Sequence, residues 1–411
     1  MLPVRYLEDL KTAPIQDVDF VGTFIEMFEG KYTTFGSRST LHPRVVRTSL
    51  NANVEKIMPD IHAEVRDAFE AIWPDSEDWT AVPVVDCITR IVARVSGRMF
   101  GGPELSRNDE WVMTSIRFAL NGFAAAQKLK LWPEVLKPFA APFISELKAI
   151  REDYRSAEKA ALPILEQRKT SNKKANDLLT WMAENARGEE AELKFVSHIL
   201  LKVSFAAIHT SAAAPCQLIF DLCQYSQYVD VLRDEIRKNT TIEDHQTLPK
   251  VGNLIKLDSI MKESQRINPL LLITFERIIT RDYALKDGLV IPAHTTIGMP
   301  TQAINMDPEH YYEPDKFDGL RFYNLKVAGT SASKTDYVAS NGASLNFGYG
   351  RHACPGRWFA ANEIKSIMAY LLLNYDIKFA DGQSRPENLQ VETQNLPNPT
   401  ATVLSRRIRR S

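Results

Sequence analysis

A cysteine directly before Pro-Gly, with an apolar run behind it, is the feature of this chain best placed to do chemistry. Cys354 closes the stretch Phe347-Gly348-Tyr349-Gly350-Arg351-His352-Ala353-Cys354-Pro355-Gly356, and residues Trp358 to Leu373 follow with helical character. This order predicts that Cys354 sits at a helix N-terminus, with Pro355 in the first turn, where its missing N–H is no loss. Unpaired N–H groups and the positive end of the helix dipole favour a thiolate there. Such surroundings lower a thiol from its free value of about 8.5. The glycines around Tyr349 let the backbone pass close to a flat ligand. A thiolate held in a glycine-rich loop is what a haem iron needs as a proximal ligand, and it pushes electron density toward O–O cleavage. For an isolated cysteine, the simpler reading is a buried small apolar residue.

The elements that must position this loop are mainly helical. Residues 53 to 72 and 141 to 168 carry apolar side chains at spacings of three and four, with charges opposite. Residues 189 to 224 form the longest such run, acidic at its start (Glu189, Glu190, Glu192) as a helix N-terminus prefers. Pro215 is expected to bend that helix. Strand signals are few and late: Leu289-Val290-Ile291, Thr295-Thr296-Ile297 and Gln390-Val391-Glu392. The stretch 305 to 346 reads as loop, rich in proline, glycine and polar residues, and the basic tail SRRIRRS reads as solvated, with an acidic membrane surface as the weaker alternative. Glu263 and Arg266, three apart, meet on one helix face, a pairing worth a few tenths of a kcal/mol when solvated.

Composition is compatible with this reading. The chain has 411 residues and a formal net charge of −1, so no nucleic-acid partner is suggested. Four cysteines (Cys87, Cys216, Cys223, Cys354) show neither disulfide nor zinc spacing, which points to a reducing compartment. Cys216 and Cys223 share one helix face and read as buried small apolar residues. No apolar run looks long enough to span a bilayer, and there is no secretory signal.

The cysteine stretch resembles the ligand loop of the cytochromes P-450, Phe-x-x-Gly-x-Arg-x-Cys-x-Gly. It matches at Phe347, Gly350, Cys354 and Gly356 and departs at His352, where the family carries an arginine that binds a haem propionate. The wording is similar to ascomycete members, and His352 reads as a substitute donor. The resemblance implies a mainly α-helical cytochrome P-450 fold with a small β region, one catalytic domain over residues 1–411, and haem b held by Cys354 near Phe347, Gly348 and Gly350. Fungal members carry an N-terminal membrane anchor and a proline-rich hinge. The opening LPVRYLEDLKTAP instead looks like the end of a strand followed by an early helix, so the anchor, the first helix and the first strand or two are expected to be absent. For a full-length relative the resemblance implies the cytosolic face of the endoplasmic reticulum membrane. Without an anchor, this chain would be soluble or peripheral.

Further residues acquire roles from the same resemblance. Arg321, in Phe317-Asp318-Gly319-Leu320-Arg321-Phe322, is similar to the family arginine that joins the Glu263–Arg266 pair in a buried network supporting the haem pocket. Arg277 falls where family members place a propionate-binding arginine, and His42 and Arg47, in His42-Pro43-Arg44-Val45-Val46-Arg47, are candidates for the other propionate. Arg44 and Arg47 equally suit an ordinary solvated face. Ala206-Ala207-Ile208-His209-Thr210-Ser211 resembles the family's Ala-Gly-x-Asp/Glu-Thr, arched over the haem. Ala206 and Ala207 leave room for iron and oxygen, and Thr210 supplies a hydroxyl able to hold a water for general-acid service. His209 departs from the expected acid and is either a proton relay, since its unperturbed pKa lies near neutrality, or a satisfied core histidine.

The implied activity is a haem-thiolate monooxygenase. It would insert one oxygen atom of O₂ into a small lipophilic secondary metabolite of the terpenoid or phenolic polyketide class, with electrons from an NADPH-cytochrome P-450 reductase. Oxidative phenol coupling or ring rearrangement at the same site is the alternative within the class, and a haem-free binding or regulatory remnant is the alternative outside it. The substrate pocket is expected from residues 20 to 38, 115 to 140, Ala206 and Ala207, Leu271 to Thr274, and Leu396 to Pro399.

Overall fold

The computed structural model describes residues 1–171, 175–240 and 249–409. At its centre runs the helix Leu193–Gln224, apolar on nearly all sides, which packs against Val84–Gly101, Asp109–Lys130, Ser145–Ser171, Ile255–Ile267 and Arg357–Asn374. A helix hydrophobic all round belongs in a core, and nineteen of its residues, from Val196 to Leu222, are buried. By length and composition alone this helix could cross a membrane, contrary to the sequence expectation that no run suffices, but most of its apolar window is enclosed by the other helices. It continues through Pro215, and the acidic residues Glu189 and Glu190 lie in a preceding 3-10 turn, Gly188–Ala191.

The helix Asn51–Ile72 buries Val54, Ile57, Met58, Ile61, Val65, Ala68 and Phe69, the three-and-four spacing of one inward face. The helix Arg357–Asn374 behind the cysteine is enclosed almost throughout, from Phe359 to Leu372. Two small antiparallel sheets flank the helices. One joins Val18–Asp19, Thr274–Ile279 and Thr296–Met299; the other joins Thr80–Pro83, Thr402–Arg407 and Tyr375–Lys378. Two hairpins, Tyr283–Ala284 with Val290–Ile291 and Leu389–Val391 with Gln394–Leu396, complete the β region.

Three sequence expectations change here. The opening segment forms a 3-10 turn, Val4–Tyr6, and a short helix, Leu7–Lys11, with no strand before it. The basic tail is not free: Arg406 and Arg407 lie in the last strand and pair with Asp376 and Asp75, while residues 410 and 411 fall outside the described residues. Residues 305 to 346 contain two short helices, Arg321–Val327 and Ala332–Thr335; the Tyr323 N–H in the first and the Tyr337 N–H just after the second donate to Ser259 and Asp258 of the helix Ile255–Ile267.

Candidate active site

Local backbone chemistry shapes the cysteine loop. Gly348 and Gly350 have φ of +69° and +67°, the left-handed region that only glycine enters freely. The turn they make is closed by the Cys354 N–H donating to the Phe347 carbonyl at 2.8 Å and the Ala353 N–H to the Gly350 carbonyl at 3.1 Å. The following helix begins at Arg357 with Gly356 as its cap, so Pro355 lies just outside the helix and not in its first turn. Cys354 is therefore aimed at the helix start from two residues before the cap. The Cys354 side chain is exposed, yet protein crowds its other sides closely enough that burial pushes the thiol up. The N–H groups of Gly356 and Arg357, with the Arg357 charge, oppose that rise. The expected net lowering is thus corrected, although the groups that favour a thiolate are in place. An iron ion would tip the balance outright, because a coordinating thiol is deprotonated.

Three arginines and His352 converge beside the loop, through side chain or backbone. Arg277, Arg351 and His352 line one small cavity with Phe275. Arg47 donates to the Arg351 carbonyl at 3.1 Å, from a single π-helical turn, Val46–Leu50, an irregularity often found at functional sites. Asn51, one residue on, donates to the Pro355 carbonyl at 3.2 Å. Arg277 reaches its place through a β-bulge: its strand pairs Thr274 with Met299 and then Arg277 with Ile297, one residue too many, and Phe275 between them has φ of +56°. A non-glycine residue there carries strain of about 1–3 kcal/mol. The bulge stacks Arg277 on Phe275 and Phe20, with its carbon 4.2 Å and 4.7 Å from the ring centroids.

Arg277 is 4% exposed, and among the described residues no carboxylate pairs with it. Burial, with the Arg351 charge second, pushes its guanidinium down to about 10. His352 is pushed down to about 4 by burial and by Arg277, Arg351 and Arg47, so its ring is neutral at pH 7. A buried cation without an anion is costly, and this cluster is built to receive one. His42 has other neighbours: Lys202 and Glu190 are the charges that act on it, and burial takes it to about 4. The sequence expectation joined His42 to Arg47; the structure turns it toward the central helix.

On that helix, Ala206 and Thr210 are exposed while Phe205, Ile208 and Ser211 are buried and Ala207 and His209 half-buried. One stripe of the core helix therefore faces open space. Thr210 Oγ1 donates to the Ala206 carbonyl at 2.8 Å. His209 points elsewhere: its Nε2 donates to the Ile116 carbonyl at 3.0 Å, and burial lowers its pKa. That ring ties the central helix to Asp109–Lys130, the geometry of a core histidine.

Beside Thr210, Ser211 faces Glu363 of the cysteine helix. Burial pushes the Glu363 carboxyl up to about 8 against the pull of the Ser96 and Ser211 hydroxyls; Ser96 donates to Oε1 at 2.7 Å, while Oε2 has no partner at hydrogen-bonding geometry. Its folded pKa is raised, so the folded state binds the extra proton between the unfolded value near 4.5 and about 8. The stability this proton confers is complete below pH 4.5 and is lost as pH rises through 8. Glu363→Gln, which keeps the neutral shape, is expected to be more stable than the parent at pH 8.5 and to gain less at pH 6. Urea melts at both pH values check this; an equal difference at the two would refute it.

The cytochrome P-450 family profile matches residues 31–403. The chain belongs to the cytochrome P-450 family. A cytochrome P-450 monooxygenase of Emericella nidulans is 35% identical over 99% of this chain and 78% of its own length. One of Penicillium canescens is 35% identical over 99% and 79%, and an ent-kaurene oxidase of Gibberella fujikuroi is 31% identical over 99% and 82%. The structure of retinoic acid-bound cyanobacterial CYP120A1 superposes with a TM-score of 0.73 at 18% identity, covering 98% of this chain and 87% of that one, which shows the fold. The chain is an oxidoreductase of this family.

The residues present fit a haem. An accessible thiol, an unpaired buried arginine and an accessible stripe on the central helix answer its iron, its propionates and its distal face. Farther out, Glu263, 0% exposed, accepts from Arg266 Nε and Nη2 at 2.9 and 2.7 Å and from Arg321 Nε at 3.2 Å. Arg266 also donates to the carbonyls of Asn305, Pro314 and Lys316, and so fastens the segment before the cysteine loop of this cytochrome P-450. Sequence reasoning passed over Arg351, Asn51, Glu363 and Lys202. Glu363 had a visible signal, a charge inside an apolar helical run. Lys202 had another, its spacing of four and eight from Ala206 and Thr210.

Proposed function

We propose that this cytochrome P-450 is a monooxygenase that inserts one oxygen atom of O₂ into a small lipophilic secondary metabolite, fed with electrons by an NADPH-dependent reductase. The observation that carries this reading is the accessible stripe of Ala206 and Thr210 midway along the core helix, an apolar surface with a single hydroxyl. Haem b, when bound, supplies the oxidising chemistry. Cys354 would hold the iron, and Arg277, Arg47 and His352 would hold the propionates, His352 through a ring N–H. Phe347, Gly348 and Gly350 shape the loop beneath. Ala206 and Ala207 keep the reacting space clear. Thr210 can turn its hydroxyl from the Ala206 carbonyl to hold a water and pass a proton. The apolar hairpin end at Leu396 and the segment from Leu271, bridged to Gln394, stand together and would close the pocket.

Resemblance to an ent-kaurene oxidase supports a terpenoid substrate; the phenolic polyketide class rests on loop wording. A membrane surface at the endoplasmic reticulum is supported by Leu131, Val135, Phe139 and Phe143, all strongly exposed in one short stretch. Expression in a fungal host grown under ¹⁸O₂ tests the reading: new metabolites should each carry one ¹⁸O atom. Products that have only lost hydrogen would show coupling or rearrangement instead. In the same system Thr210→Ala should keep haem and NADPH consumption but release hydrogen peroxide, with product formation down about a hundredfold. His209→Ala should lose stability and keep its coupling. Full product yield from Thr210→Ala would remove that hydroxyl from the mechanism.

A further inference from the structure

The accessible stripe of the central helix carries one charge. Lys202 lies four residues before Ala206 and eight before Thr210, so at 3.6 residues per turn the three share a face. Lys202 Nζ donates to the Gly36 carbonyl at 3.3 Å, and no carboxylate of the described residues comes within the 4.0 Å of an ion pair. Of the other enclosed lysines, Lys137 and Lys365 meet Glu29 and Asp258 at 2.6 and 2.5 Å, and Lys262 donates to the Asp336 carbonyl at 2.8 Å. Burial alone acts on the Lys202 ammonium and pushes its pKa down. The Lys202 charge acts on His42, whose buried Nδ1 has no hydrogen-bond partner. Glu190, which also acts on His42, is engaged by the Ser39 hydroxyl at 2.5 Å. An unpaired ammonium and an unsatisfied ring nitrogen thus stand together at one end of an otherwise apolar, accessible face.

We propose that the substrate is a lipophilic carboxylic acid whose carboxylate is bound by Lys202 with His42 Nδ1–H as second donor, its hydrocarbon body lying along Ala206 toward Thr210. The inference rests on the haem-thiolate reading above and names the substrate class of that site. Eight residues of helix span about 12 Å, so oxidation falls on a carbon remote from the acid. A carboxylate answers the ammonium, which lacks an anion, and the unsatisfied ring nitrogen at once through charge-assisted bonds. A haem propionate offers the same chemistry, and the test separates the two sources.

The haem-loaded protein is titrated with acid and methyl ester pairs on linear twelve-carbon, monocyclic and fused tricyclic skeletons, following the Soret band. At least one acid should bind ten- to a hundredfold more tightly than its ester. Lys202→Met should erase that preference with haem content and the CO band unchanged, and Lys202→Arg should retain most of it. No acid preferred over its ester, or a preference that survives in Lys202→Met, overturns the inference. So does loss of haem from Lys202→Met with acid preference intact, which assigns the lysine to a propionate. A parent without the thiolate CO band fails the underlying reading itself and is told apart by that spectrum.

Discussion

Cys354→Ala is expected to yield a protein with no thiolate-type CO spectrum and no turnover. The sulfur is the accessible thiol of the chain; Cys87 and Cys216 are buried, and Cys223 is pushed up to about 12 by burial in the central helix. The remaining donors near the loop are cationic or, for His352, enclosed among three arginines. Serine at the same place keeps the size but not the soft, electron-donating sulfur that an iron needs to favour O–O cleavage. Residual CO-shifted absorbance in Cys354→Ala would mean that another sulfur serves the iron.

The second large effect lies away from the chemistry. Arg266→Ala would leave Glu263 in the core with Arg321 and the Asp318 N–H as partners, and would free three carbonyls that Arg266 now satisfies. Removing one partner of a buried ion pair costs about 3–5 kcal/mol, against a total stability of about 5–15 kcal/mol for a typical protein. Little soluble, haem-loaded Arg266→Ala is expected from expression that yields the parent well. Arg266→Lys should rescue only in part, since a point charge cannot replace a planar fork that meets Glu263 through two bonds while reaching the carbonyls opposite. Glu263→Ala and Arg321→Ala should fail in the same way. Parent-like yield and haem content from all of them would show that the network does not hold the pocket.

The cysteine loop was legible because its chemistry is contiguous: glycines that need positive φ, a cysteine and a helix start fall within ten residues. The Glu263–Arg266–Arg321 contact was legible in part, since i,i+3 pairing is local while Arg321 depended on the family likeness. The sheets were legible only in part: Val290–Ile291, Thr296–Met299 and Leu389–Val391 form strands where the strand signals lay, and the others gave none. Val18–Asp19 is two residues long and finds its partner more than 250 positions later, and Thr402–Arg407 was masked by its basic side chains, which reach Asp376 and Asp75 across strands. His209 could not be decided from sequence because its partner, Ile116, lies 93 residues away. The direction of the Cys354 shift failed for a related reason: dipole and N–H donors are local, whereas the burial that outweighs them is set by the whole fold.

The most direct test of the account is the absorbance of the purified 411-residue protein, reduced and exposed to CO. Thiolate ligation by Cys354 predicts a strongly red-shifted Soret band that disappears in Cys354→Ala. An unshifted band would place another ligand on the iron, and no haem absorbance at all would mark the chain as a haem-free remnant; either result would contradict the haem-thiolate site described above.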